Sequence, residues 1–169
     1  MELSMTFKTN VWAVFVTLVL VSVLSGFSLA QNRVPQFKDY SVDEVYNGRI
    51  APPVITSDTK LFRTRLRWAA KTQKPNFAGH FILTTWGCGA QCLMGASIDA
   101  KTGKIYWWGF TVCCWGFNTD QKFNPIEFRL NSRLIVFSGL RNEKENDNGA
   151  HFYIFKNGRF VHFRTVSQP

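Results

Sequence analysis

Hydrophobic and polar residues follow three different patterns in successive parts of this 169-residue chain. From Val11 to Leu24 the residues are all apolar or small. From Asp58 to Gln73 apolar residues recur at helical spacing, and after Gly79 short apolar runs alternate with turn residues. The three patterns predict, in order, a targeting segment, one amphipathic helix and a series of antiparallel hairpins.

The N-terminal run has the form of a secretory signal peptide. A short head carrying Lys8 precedes it, and Ser28 and Ala30 supply the small side chains that a signal peptidase needs. We expect residues 1–30 to be removed by cleavage between Ala30 and Gln31, with no transmembrane span afterwards. The alternative is an uncleaved anchor that also uses Gly26 to Ala30, since a membrane span needs ~20 apolar residues.

The mature chain is expected to begin with a lead-in and then a helix. Residues 31–57 contain three prolines and no sustained periodicity, which predicts an extended lead-in. Ser57 or Asp58 is a suitable N-cap for a helix that continues to Gln73 and is stopped by Pro75. The apolar stripe of this helix is formed by Phe62, Leu66, Ala69 and Ala70.

The polar faces of the predicted helix are strongly basic. Asp58 is their only acid, and the cations are Lys60, Arg63, Arg65, Arg67, Lys71 and Lys74. Such a surface can lie on an anionic membrane or polymer, or it can be the solvated side of a helix packed on a sheet. Arg63 and Arg67 are taken as candidate binding residues.

About seven strands are predicted in residues 58–169, forming a single mainly β domain of meander or sandwich type. They are Gly79 to Trp86, Met94 to Asp99, Lys104 to Gly109, Glu127 to Leu130, Arg133 to Leu140 and the two arms of a last hairpin. A long connection is expected from Gly116 to Pro125.

The last hairpin has a predictable register. Asn157-Gly158 suits a two-residue type I′ turn, which sets Phe155 opposite Phe160 and continues to His151 opposite Arg164. The intermediate pairs are Ile154 with Val161, Tyr153 with His162 and Phe152 with Phe163. One face of this hairpin, formed by Phe152, Ile154, Val161 and Phe163, is predicted to be core.

Four cysteines, Cys88, Cys92, Cys113 and Cys114, lie in the part expected to be exported, which favours two disulfides. Adjacent residues on a strand point to opposite faces, so we favour Cys88 and Cys92 each bonded across to the Cys113-Cys114 pair. A local Cys88–Cys92 loop with a vicinal Cys113–Cys114 bridge is the alternative. A zinc site is a weaker rival, because structural zinc usually binds two spaced pairs.

Charge and aromatic content point to a binding surface. The chain has a formal net charge of +9, and loss of the targeting segment removes only Glu2 and Lys8. Such a charge favours an anionic cell-envelope polymer, a lipid surface or an acidic protein as partner, with no specific nucleic acid, although it can also serve solubility alone. Trp86, Tyr106 and Trp108 are candidates for stacking on a ligand ring, or they fill the core.

Signatures of an enzyme are weak in this chain. No G-x-S-x-G elbow occurs, and the spacing of Cys88 and Cys92 is C-x-x-x-C rather than the C-x-x-C of disulfide exchangers. His151 and His162 are expected to be structural, and no metal or cofactor is predicted. His80 remains the one candidate catalytic residue, with Asp99 or Glu127 as the carboxylate of a small cell-wall hydrolase.

Four blocks of sequence resemble an uncharacterised family of small exported bacterial proteins. The blocks are N-F-A-G-H-F (Asn76 to Phe81), T-W-G-C-G-x-x-C (Thr85 to Cys92), D-A-K-T-G-K-I-Y (Asp99 to Tyr106) and F-R-L-N-S-R-L-I-V (Phe128 to Val136). The likeness covers roughly Lys60 to Arg164. It implies a bacterial protein that is periplasmic or secreted, and it implies no catalytic residue.

The function that these observations favour is a non-enzymatic binding module for an anionic envelope component or a protein partner. A small hydrolase acting on a cell-wall polymer is the first alternative. A periplasmic protein that neutralises a toxin is the second.

Overall fold

The computed structural model describes residues 33–115 and 123–167. The predicted signal peptide with its cleavage point, and most of the predicted connection from Gly116 to Pro125, lie outside the described residues. The chain divides into a first unit that ends at Pro35 and a second unit, Gln36–Pro169, which holds every element described below. In the described part of the chain, no helix is both long and apolar enough to cross a membrane.

The second unit is built on one antiparallel sheet, which confirms the predicted mainly β fold. The strands described are β1 Phe81–Gly89, β2 Cys92–Asp99, β3 Ile105–Trp107, β4 Val112–Cys113, β5 Ile126–Phe128, β6 Leu134–Arg141, β7 Asn148–Lys156 and β8 Arg159–Ser167. Their order is β1-β2-β4-β6-β7-β8, with β3 beside β2 and β5 beside β6. The short β4 is the strand that the sequence pattern did not predict.

One α-helix, α1 (Arg63–Thr72), packs on the sheet and follows a 3-10 turn at Lys60–Phe62. Leu66 and Ala69 are fully buried against apolar residues of β1 and β2. The predicted N-cap at Ser57 or Asp58 is wrong, since the helical segment starts after Thr59 and no side chain caps it. The helix ends before Pro75, as expected.

Both faces of β1 are buried, because its side chains alternate between two apolar clusters. Phe81 and Leu83 join the larger cluster, which is rich in aromatic rings from β6 and β7. Ile82 and Trp86 join the cluster under α1. This alternation places Trp86 beneath the helix.

The last hairpin confirms the turn and part of the predicted register. Phe155 lies opposite Phe160, and Tyr153 opposite His162, but a bulge then sets Phe152 opposite Arg164 rather than Phe163. The predicted core face is only partly correct, since Phe152 is buried in a small apolar cluster but the β8 residues of that face are not core. Tyr153 and Phe155 belong to the larger core, whereas Val161 is 48% exposed and Phe163 40% exposed. Both lie on β8, the last strand of the sheet order, which has no neighbour on one side among the described strands.

The lead-in, from Gln36 onward, is extended apart from a 3-10 turn at Phe37–Tyr40. Its N–H groups bond to carbonyls at the ends of strands, for example Tyr46 to Gly79 and Ala51 to Ala100. Gly79 has φ +82°, and a Cβ there would lie 2.5 Å from the carbonyl oxygen of Glu44. Glycine is therefore required where the lead-in passes the turn before β1.

Candidate functional site

A cleft of about 540 Å³ lies between α1 and the sheet, and we call it the helix–sheet cleft. From α1 it is lined by Arg65 and Trp68, and from β1 by Thr85 and Trp86. Leu93 and apolar residues of β5 complete it. Among the residues that the structure describes, the lining contains a single cation and no carboxylate.

Trp68 is the most unusual residue of this cleft, because 61% of it is exposed. It lies three residues after Arg65, so the two side chains are neighbours on the helix surface. Sequence reasoning did not select Trp68. A signal for it existed, since at 100° per residue Trp68 lies opposite the apolar stripe centred on Leu66, where an indole has no core to fill.

Trp86, a predicted binding residue, lines the cleft but is only 6% exposed. Its ring packs against Phe62 and Trp107, with ring centroids 5.1 Å and 5.8 Å away. Among the described residues, its Nε1 atom is buried and has no hydrogen-bond partner. Trp108 Nε1, deep in the larger core, is in the same situation, so this feature does not mark a ligand site by itself.

The other two predicted aromatic residues lie elsewhere. Trp108 is buried in the larger core, with its ring centroid 4.8 Å from that of Phe137. Tyr106 is half-buried and lines a separate cleft that also contains His80. The three aromatic candidates therefore do not form one surface.

The basic residues of α1 are also divided between different surroundings. Arg63 Nη1 donates to the carbonyl of Lys60 at 3.3 Å, and Arg67 lines a shallow cleft beside Pro52 and Pro53. Within the described ranges, none of the six cations of this helical segment forms a salt bridge. Their charges are therefore available to an anion.

A second cleft, of about 690 Å³, is lined by His80 and Asp99, and we call it the His80 cleft. His80 Nε2 lies 3.8 Å from Asp99 Oδ1, and that oxygen accepts the N–H of Lys101 at 2.8 Å. The two residues meet because Asp99 is paired with Phe81, the neighbour of His80. Glu127, the other predicted carboxylate partner, does not line this cleft.

The electrostatics of the His80 cleft favour a neutral imidazole. Burial lowers the pKa of His80, and the positive charge of Lys101 acts in the same direction. The carboxylates of Asp99 and Glu44 oppose this shift without reversing it. His80 is thus available as a proton acceptor near neutral pH.

The favoured cysteine pairing is wrong, because Cys88 is bonded to Cys92. This is the local half of the alternative, and it removes the four-thiolate zinc site. Cys113 and Cys114 are not bonded, but their Sγ atoms lie only 2.7 Å apart. Adjacent side chains point to opposite faces only while both residues belong to a strand. Here β4 ends at Cys113. The backbone of Cys114 lies in the left-handed region, with φ +57°, so the rule does not apply to this pair.

The histidines of the last hairpin have hydrogen-bond partners within the protein. The Nδ1 atom of His151 lies 2.9 Å from Thr165 Oγ1, and its Nε2 atom lies 2.9 Å from the carbonyl oxygen of Gly139. His162 Nε2 also lies 2.8 Å from Thr165 Oγ1. His151 is therefore a satisfied structural histidine, as predicted.

No protein-family model, curated protein or solved structure matches this chain. The resemblance to a family of exported bacterial proteins thus stays a prediction. The function has to be argued from the two clefts and the residues around them.

Proposed function

We propose that this protein is an exported, non-enzymatic binding module that holds an anionic component of the bacterial cell envelope in the helix–sheet cleft. The observation that carries the proposal is the pairing of exposed Trp68 with Arg65 at the cleft. A large apolar ring, beside a cation that forms no ion pair within residues 33–115 and 123–167, suits a ligand that is both cyclic and negatively charged.

An acidic sugar polymer meets these requirements. The face of a sugar ring can stack on the Trp68 indole, and its carboxylate can pair with the Arg65 guanidinium. Thr85, which is exposed, lines the same cleft and carries a hydroxyl that can bond to a sugar. The cleft volume of about 540 Å³ is large enough for two or three ring units to enter in part.

The overall charge supports the same ligand class. A formal net charge of +9 attracts an anionic polymer at long range and raises its local concentration. This attraction is screened within about 8 Å at physiological ionic strength, so binding should weaken as salt is added.

Titration calorimetry with a trimer of galacturonic acid tests the proposal, with the neutral galactose trimer as the uncharged probe. We expect Trp68→Ala and Arg65→Ala each to weaken galacturonate binding about tenfold, the loss of one stacked ring or one charged contact. Arg67→Ala is the matched control, because it removes the same charge from the same helix but lies outside this cleft.

Two results would contradict the proposal. One is equal affinity of the wild-type protein for the charged and the neutral trimer. The other is the same loss in Arg67→Ala as in Arg65→Ala, which would mean that only the overall charge matters. Binding to anionic lipid vesicles that is unaffected by Trp68→Ala would assign the basic helix to a membrane surface instead.

A second candidate function rests on the His80 cleft. His80 lies 3.8 Å from Asp99, which is the pairing that a hydrolase of cell-wall polymer would use to orient a general base. The lowered pKa of His80 keeps its ring neutral and able to accept a proton.

Release of soluble fragments from purified cell-wall material tests this second candidate. We expect His80→Ala to abolish release and Asp99→Asn to reduce it. Release that is unchanged in His80→Ala would remove the hydrolase from consideration and leave the binding module unaffected, since neither residue lines the helix–sheet cleft.

A further inference from the structure

The four cysteines follow one another across three strands, with Cys88 on β1, Cys92 on β2, Cys113 on β4 and Cys114 directly after it, and we call them the cysteine row. Its outer members, Cys88 and Cys114, are exposed, and its inner members, Cys92 and Cys113, are buried. Cys88 is bonded to Cys92, and Cys113 Sγ lies 2.7 Å from Cys114 Sγ. The remaining step is the one between Cys92 and Cys113.

Cys92 on β2 and Cys113 on β4 are direct cross-strand partners. Residues directly opposite each other in an antiparallel pair have their side chains on the same face of the sheet. The N–H of Cys114 donates to the carbonyl of Gln91, so the ladder bonds fall on the flanking pair and not on Cys92 and Cys113. Such non-hydrogen-bonded pairs bring their Cα atoms within about 4.5 Å, the range in which a disulfide can form.

We propose that the cysteine row is a site of intramolecular thiol–disulfide exchange, in which one disulfide moves between Cys88–Cys92, Cys92–Cys113 and Cys113–Cys114. The proposal is independent of both clefts and of any ligand. It differs from the action of a C-x-x-C exchanger, because the exchanging groups all belong to this chain.

The exchange needs no outside oxidant. The Cys113 thiolate attacks Cys92 Sγ, which forms the Cys92–Cys113 bond and releases Cys88 as a thiolate that takes up the proton lost by Cys113. The Cys114 thiolate then attacks Cys113 Sγ, which forms the vicinal bond and releases Cys92 as a thiolate that takes up the proton lost by Cys114. Two protons and two electrons have then passed from one cysteine pair to the other, and the protein still has one disulfide.

The first attack should be slow at neutral pH. Burial raises the pKa of Cys113 to about 11, and its contact with Cys114 and the negative charge of Glu143 act in the same direction. One backbone hydrogen bond at Glu143 acts against this rise. Because the thiolate is the attacking species, the rate should increase about tenfold per pH unit while the pH stays below the pKa of Cys113.

Alkylation mapping tests the proposal on the full chain. The purified protein is brought to one disulfide and two thiols, held at about pH 9, quenched in acid and alkylated with N-ethylmaleimide at about pH 5, where exchange is slow. Tandem mass spectrometry then locates the labels. We expect three populations, labelled at Cys113 with Cys114, at Cys88 with Cys114, and at Cys88 with Cys92.

Two outcomes of this mapping would overturn the proposal. Labels that stay confined to Cys113 and Cys114 after long incubation would show a static disulfide. A rate that increases with protein concentration would show exchange between molecules instead.

Variants test the central step separately. Cys113→Ser interrupts the cysteine row, so N-ethylmaleimide should label only Cys114 of this variant at every time point. Labelling of Cys88 or Cys92 would contradict the mechanism. In the double variant Cys88→Ser with Cys114→Ser, mild oxidation with oxidised glutathione should join Cys92 to Cys113. If the Cys92–Cys113 bond does not form in a double variant whose circular dichroism spectrum is unchanged, the proposal is also overturned. If the double variant does not fold, the alkylation mapping of the wild-type protein is the test of the proposal.

Discussion

The helix–sheet cleft and the His80 cleft differ in the arrangement of their charges. In the described part of the chain, the first is lined by one cation and no acid, whereas the second brings His80 and Lys101 together with the carboxylates of Asp99 and Glu44. Charges of opposite sign cancel at short range, so only the first cleft presents a net field to an approaching anion. The first cleft is thus suited to selection by charge, and the second to movement of a proton.

The two clefts also depend on different supports. The helix–sheet cleft exists because Leu66 holds α1 on the sheet, and the His80 cleft is bounded on one side by the lead-in, at Val42 and Glu44. Each can therefore be disrupted without direct damage to the other, and the three predictions below use this separation.

The largest effect is expected for Leu66→Ala, which removes the fully buried anchor of α1. A cavity of this kind costs about 2–5 kcal/mol of the free energy of unfolding, and the loosened helix should also lose ligand binding. Guanidinium denaturation measures the first effect. Leu61→Ala is the matched control, because Leu61 is 83% exposed and its loss should cost less than about 0.5 kcal/mol. An equal loss of the free energy of unfolding in Leu66→Ala and Leu61→Ala would contradict the role of Leu66 as the anchor of α1.

A smaller effect is expected at Gly79, where the lead-in passes closest to the turn before β1. Gly79→Ala places a Cβ 2.5 Å from the carbonyl oxygen of Glu44 and should cost about 2–4 kcal/mol. Gly109 has nearly the same φ angle, +85° against +82°, but nothing lies within 4 Å of its added Cβ. Gly109→Ala should therefore cost only about 1 kcal/mol, the strain of the left-handed conformation.

Comparison of the two glycine variants isolates the contact with the lead-in. Thermal unfolding measures the difference in stability between the two variants. Proteolysis should show earlier cleavage within residues 42–50 in Gly79→Ala alone. Equal stability of the two variants would mean that the lead-in does not press on this turn.

The smallest effect concerns the pH dependence of stability at His80. Its pKa is lowered by burial, so the folded state disfavours the proton that the unfolded state accepts at about pH 6.5. The neutral His80 ring contributes fully to the stability of the folded state when the pH is above the pKa of His80 in the unfolded chain. This contribution is lost as the pH falls through the lower pKa of His80 in the folded protein. His80→Asn should therefore flatten part of the decrease in stability on acidification from about pH 7 to pH 5.

His162 is the appropriate comparison for this measurement. Burial is also the main reason that the pKa of His162 is lowered, so a part of the pH dependence should persist in His80→Asn and disappear only when His162→Asn is added. An unchanged pH profile in His80→Asn would show that the imidazole carries no such penalty.

Local chemistry explains which parts of the fold the sequence could predict. The Asn157-Gly158 turn determines the pairs nearest to it, and those pairs are correct. The bulge between Phe152 and Tyr153 could not be predicted, because apolar residues lie on both faces of β7 and the pattern does not distinguish them. Burial on both faces depends on neighbours that are distant in sequence.

The same limit applies to the candidate site. The sequence offers His80 as a candidate base with Asp99 or Glu127 as its partner, but only the register of β1 with β2 shows that the partner is Asp99. The cysteine pairing failed because the alternation of a strand was extended by one residue, to Cys114, where the strand has already ended. Trp68 was not among the candidates, although its place opposite the apolar stripe of the helix was a signal for it.

The attachment of the lead-in has a consequence for the order in which the chain can fold. Ser132 Oγ donates to the carbonyl of Phe37 at 2.8 Å, across a sequence separation of 95 residues. A chain that emerges from the ribosome N-terminus first cannot make this contact until β6 is about to be synthesised. The segment from Phe37 to Tyr40 therefore has to wait without this partner until most of the chain has emerged, whether from the ribosome or from an export channel, and we expect its docking to be a late event of folding.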